Sequence, residues 1–114
     1  MIEYFTDDEL KCKCCGDLRF DHAFRVKLNV ARHLAGIPFV VSSGYRCPAH
    51  NSAEGSKTQN HPKGLAVDIK CTDLLRRYKI VKALIEVGIL GIGIYPTFIH
   101  GDINRGRPRI WLEA

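Results

Sequence analysis

The chain has 114 residues, 46% of them hydrophobic, and 17 basic against 12 acidic residues give a formal charge of +5. That length supports one domain, expected over residues 1–114, with a single core. No apolar run approaches the ~20 residues of a membrane span, and the acidic N-terminus lacks the apolar core of a signal peptide. Thr6-Asp7-Asp8-Glu9 reads as a capping box opening a short helix. A longer helix is predicted from Asp21 to Ala35, with Phe24, Leu28, Ala31 and Ala35 on one face and Leu34 beside them. Gly36 and Pro38 end it. Phe39 to Ser43 is a β-branched run, hence a strand, and Gly44 to Gly64 is polar and irregular. Leu65 to Lys70 alternates: Leu65, Val67 and Ile69 face one way, Ala66, Asp68 and Lys70 the other. Thr72 or Asp73 caps another helix with Leu75, Val81, Leu84 and Ile85 on its apolar face, ended by Gly88. Strands follow at Gly91–Tyr95 and Phe98–Ile103, with a last edge strand at Ile110–Leu112. Without a regular βαβ rhythm, this order predicts an α+β fold with a small antiparallel sheet flanked by helices.

The positive charge suits an anionic partner such as nucleic acid or cell-wall polymer, or serves solubility alone. No nucleic-acid-binding signature accompanies it, so no nucleic-acid partner is expected. Of the five cysteines, Cys12, Cys14 and Cys15 lie in one turn. An odd count argues against a full disulfide framework. The turn resembles half of a structural zinc site, which Cys47 and His50 would complete in space; the alternative is a set of reduced, partly buried thiols.

Three residues have the chemistry of a catalytic zinc site, which takes three protein ligands and keeps one position for water. His61 precedes Pro62 in the polar loop, Asp68 lies on the non-apolar face of its strand, and His100 lies in an apolar strand. A buried carboxylate or imidazole needs a partner, and a metal is one. A satisfied structural histidine is the other reading of each ring taken singly.

The combined pattern is more specific. Ser43-Gly44-Tyr45-Arg46, His61-Pro62-Lys63-Gly64-Leu65-Ala66-Val67-Asp68 and His100-Gly101-Asp102 together resemble the zinc D-Ala-D-Ala carboxypeptidase and L-alanyl-D-glutamate endopeptidase superfamily, to which the hedgehog signalling domain is similar in fold. The resemblance spans roughly Tyr4 to Trp111. It implies Zn²⁺ on His61, Asp68 and His100, and Arg46 as a clamp for a substrate carboxylate, which its planar guanidinium can hold through two parallel bonds. The alternative for Arg46 is a structural ion pair. Gly64 and Ala66 are positions of close approach, or a tight turn and a packed strand.

The chain departs from the superfamily pattern in three places. Gln59 stands where many members carry serine, and it retains hydrogen-bonding capacity for substrate. Phe98 stands where a further histidine is frequent. Thr97 stands where the general base, Glu or Asp, is common. Asp102 shares a strand face with His100 and is the nearest substitute for that base; orienting His100, or pairing with Arg105 or Arg107, are its other roles. His50 is placed either as an oxyanion-stabilising, substrate-contacting group or as a solvated loop histidine. The implied function is zinc-dependent hydrolysis of peptidoglycan stem peptides or crosslinks, by an enzyme made without a signal peptide and released at lysis or carried in a phage particle. A non-catalytic zinc-containing module of the same fold is the alternative, and a small nucleic-acid binder is a third.

Overall fold

The computed structural model describes residues 3–54, 60–103 and 107–113. Its elements in chain order are α1 (Asp7–Leu10), α2 (His22–Ala35), β1 (Val41–Ser43), α3 (Pro48–Ala53), β2 (Ala66–Lys70), α4 (Leu74–Glu86), β3 (Gly91–Ile94), β4 (Phe98–Asp102) and β5 (Arg109–Leu112). The strands form one sheet in the order β1-β2-β4-β3-β5, antiparallel throughout except for the parallel β3–β5 pair. The fold is α+β, as the chain order of elements implies.

Local chemistry starts each helix. The Thr6 side chain accepts from the Glu9 amide while Glu9 reaches back to the Thr6 amide, the reciprocal bond of a capping box. Asp21 caps α2 and Asp73 caps α4, each carboxylate accepting an amide of the first turn. Gly36, in the left-handed region, closes α2. Within the predicted irregular stretch, α3 is an addition. Pro48 at its first position has no amide to lose there and a backbone angle already suited to a helix.

Helices α2 and α4 pack together on one face of the sheet. Phe24, Leu28 and Ala31 of α2 meet Ile80, Ala83 and Leu84 of α4 over Val67, Ile69, Ile92 and Ile99. Two predicted apolar positions of α4 are solvent-facing: Leu75 is 62% exposed and Ile85 50%. The buried stripe runs through Ile80, Ala83 and the predicted Leu84, and Leu75 and Ile85 lie off it. Leu34 is likewise exposed. The predicted strand from Phe39 is shortened to Val41–Ser43, and the Phe39 ring packs in the core.

Gly64 positions the turn before β2. Its φ is +71°, and a β-carbon there would overlap the Arg19 carbonyl. The Asp21 amide donates to the Gly64 carbonyl at 3.0 Å, and the Leu65 amide to Asn60 at 3.0 Å. This tight passage across the start of α2 fixes His61 relative to Asp68.

Candidate metal centre

Strand alternation sends Val67, Ile69, Ile92 and Ile99 into the core and their neighbours to the opposite face. Cross-strand partners lie side by side on that face. Asp68 pairs with Ser43 on one side and His100 on the other; His100 pairs with Gly93, and Gly93 with Trp111. The site is therefore one transverse row across the sheet. A second row runs Ala66, Asp102, Gly91, Arg109.

The turn at 60–64 adds His61 to the first row. Ligand atoms of His61, Asp68 and His100 all lie within 4.8 Å of one another. Asp68 Oδ1 is 3.0 Å from His100 Nδ1 and 3.5 Å from His61 Nε2. His61 Nδ1 donates to the Gly44 carbonyl at 2.7 Å. That bond fixes the tautomer and leaves Nε2 a bare acceptor, buried and without a hydrogen-bond partner among the described residues. Two imidazole nitrogens and a carboxylate oxygen, one nitrogen orphaned in the interior, fit a zinc ion in donor type and number.

His100 is held from behind. Its Nε2 is 2.8 Å from Asp102 Oδ2, which also accepts from Asn60 Nδ2 at 3.2 Å and lies 3.5 Å from the Arg109 guanidinium. Asp102 is 1% exposed. Burial alone would lift the Asp68 carboxyl, but the imidazoles of His100 and His61 beside it outweigh burial and hold the group well below the usual carboxylate range. Burial alone would lower His100, and the Asp102 and Asp68 carboxylates raise it instead. The glycines of β3 make room for these side chains. A β-carbon at Gly93 would come within 2.6 Å of the Trp111 ring, which reaches the His100 imidazole at 5.4 Å between centroids.

The row opens into a cleft of about 670 Å³ lined by the three candidate ligands, Arg46, His50, Trp111 and others. Residues 3–102 match the Peptidase M15 family. The chain belongs to that family. It is thus a member of the superfamily of zinc D-Ala-D-Ala carboxypeptidases, as the sequence motifs imply. A search of curated proteins finds no match.

For an M15 peptidase the remaining expected residues are distributed as follows. Arg46 lies at the cleft with its Nη2 3.3 Å from Asp68 Oδ2 and its Nε buried without a hydrogen-bond partner among the described residues. His50 lines the cleft, but its Nε2 meets Glu54 at 3.1 Å and its Nδ1 lies 3.4 Å from the Cys12 sulfur. Gln59 and Arg105 fall outside the described residues. Sequence reasoning passes over Asn60, Arg109 and Trp111, and over the cleft carboxylates Glu54 and Glu113. The predicted edge strand Ile110–Leu112 holds Trp111, and the observed strand starts one residue earlier, which puts Arg109 on the same face.

Proposed function

We propose that this chain is a peptidase of bacterial cell-wall peptidoglycan, hydrolysing stem peptides or crosslinks in the manner of a D-Ala-D-Ala carboxypeptidase or endopeptidase. The observation that carries the reading is the bare, buried Nε2 of His61 converging with Asp68 and His100 beside the Arg46 guanidinium. Zinc, when bound there, supplies a Lewis acid for the scissile carbonyl and lowers the pKa of its water from ~15.7 to about 7.

The chain's own residues do the rest. Gly44 and Asp102 would each take one ring hydrogen, from His61 and His100, which would leave the opposite nitrogens free to hold the ion. Arg46 holds a free substrate carboxylate and sets the peptide bond over the site. Stem peptides carry such carboxylates close to their scissile bonds, so clamp and metal belong together. Asp102 acts as a positioning residue, with one oxygen shared among His100, Asn60 and Arg109. The proton acceptor comes from the cleft carboxylates outside the ligand set, Glu54 or Glu113.

Thr97, at the usual base position, favours a second reading: a zinc-containing module that binds wall peptides without cutting them. Hydrolysis of purified cell wall, with and without chelator, decides between the two. Chelator-sensitive release of peptide supports the peptidase. No release by zinc-loaded protein that still binds the wall supports the module. Glu54→Gln and Glu113→Gln then identify the acceptor, as the variant that loses kcat with zinc retained.

A further inference from the structure

We infer that Cys12, Cys14, Cys15 and Cys47 form a second, purely structural zinc site, a tetrathiolate clip that fastens the N-terminal segment to the Arg46 wall of the cleft. The four sulfurs all lie within 4.8 Å of one another, and none is in a disulfide. Cys14 Sγ and Cys47 Sγ approach to 3.4 Å although 33 residues separate them in the chain. A tetrahedral ion with Zn–S bonds of ~2.3 Å sets its sulfurs about 3.8 Å apart, close to this spacing.

The backbone is shaped for such an ion. Cys12-Lys13-Cys14-Cys15-Gly16 folds into a turn in which the Gly16 amide donates to the Cys12 carbonyl at 2.8 Å. Gly16 has φ +75°, which spares the turn the cost a side chain would add. The Cys47 amide points at the Cys12 sulfur, 3.4 Å away, as a donor that favours thiolate over thiol. Cys47 occupies the cap position of α3 yet makes no side-chain cap bond, so its sulfur is available to the cluster. His50, the completing ligand that the sequence suggests beside Cys47, is not the fourth donor here. Its Nδ1 lies 3.4 Å from the Cys12 sulfur, supporting a ligand instead of replacing one. Four soft sulfurs in a tetrahedral set select zinc or iron among common ions, and zinc needs no redox partner.

The location gives the clip a purpose. Cys47 follows Arg46 directly, and Lys13 lies between two of the ligands; Arg46 and Lys13 both line the cleft. The strip also approaches the N-terminal segment through its backbone: the Tyr45 amide donates to the Leu10 carbonyl at 2.8 Å, and a β-carbon at Gly44 would come within 2.6 Å of that carbonyl. Gly44 in turn holds His61. An ion at the four sulfurs therefore fixes the strip 44–47 that aims both the clamp and one catalytic-site ligand. The inference is independent of which peptide the cleft takes.

Metal analysis of the full chain, purified under reducing conditions, tests it. Wild type is expected to hold two zinc ions per chain, and His61→Ala, Cys15→Ser and Cys47→Ser one each. Cys71→Ser, outside the cluster, is expected to keep two. Because a cysteine variant can fail to fold, the His61→Ala protein is also loaded with cobalt(II). It should show the intense visible bands and sulfur-to-metal charge transfer of a tetrathiolate ion, and its Cys14 and Cys15 should resist alkylation until chelator is added. One zinc in wild type that disappears in His61→Ala overturns the inference. So does iron in place of zinc, or a Cys14–Cys47 disulfide in freshly purified protein.

Discussion

A β-carbon at Gly91 would overlap the carboxylate of Asp102, its cross-strand partner. The bare backbone of β3 is what lets that carboxylate lie across the sheet and meet His100 Nε2 at 2.8 Å. Gly91→Ala must therefore push Asp102 off His100. Groups that orient a metal-ligating histidine are worth about 10- to 100-fold in metal affinity. Gly91→Ala and Asp102→Asn should each weaken zinc at the histidine site by that range, read by competition with a coloured chelator. Unchanged affinity in both variants would show that Asp102 does not set the His100 ring.

His61 has the simplest expectation. Its Nε2 has no hydrogen-bond partner among the described residues, so His61→Ala should remove the ion from this site and bring peptide hydrolysis to the level of the buffer blank. Turnover by a His61→Ala protein at a measurable fraction of wild type contradicts the proposed chemistry.

Arg46 can be separated from the metal by choice of substrate. A hydrogen bond to a charged group is worth about 1.5–3 kcal/mol, so Arg46→Ala should lower kcat/KM on a peptide with a free carboxylate by about 10- to 100-fold. Lysine at this position restores charge but not the two-pronged contact, and should recover only part of the loss. On the corresponding amidated peptide the variants and wild type should converge. Equal losses on both peptides would assign Arg46 to its ion pair with Asp68 alone.

The two faces of the sheet predict separable phenotypes. Leu84 is fully buried between α4 and the strands. Leu84→Ala should cost about 2–5 kcal/mol of stability, measured by urea unfolding, while the zinc affinity of the folded fraction stays at the wild-type value. A large affinity loss at low urea would mean that the helical layer and the metal row do not act independently.

Much of this arrangement is legible in the residues themselves. The alternation at Leu65–Lys70 separates Val67 and Ile69 from Asp68, the His61–Asp68 motif points to two of the candidate ligands, and His100-Gly101-Asp102 points to the third. The caps at Thr6, Asp21 and Asp73 are short-range chemistry, so local sequence suffices to find them. What is not legible is set by contacts distant in the chain. The exposure of Leu75 and Ile85 depends on where α4 sits over the sheet, not on its own apolar spacing. The parallel direction of β5 beside β3 leaves no mark in a four-residue strand. The convergence of Cys47 with the turn at Cys12–Cys15 depends on the Leu10–Tyr45 contact, which has no signature in either segment.

The strand β5 adds to the cleft without adding a candidate ligand. The family match ends at residue 102, and by then the chain has supplied every candidate ligand and the carboxylate behind His100. Arg109, Trp111 and Glu113, which build the facing rim of the cleft, come afterwards. A change confined to β5 therefore reshapes the rim of the cleft while the row of candidate ligands on β2 and β4 stays as it is.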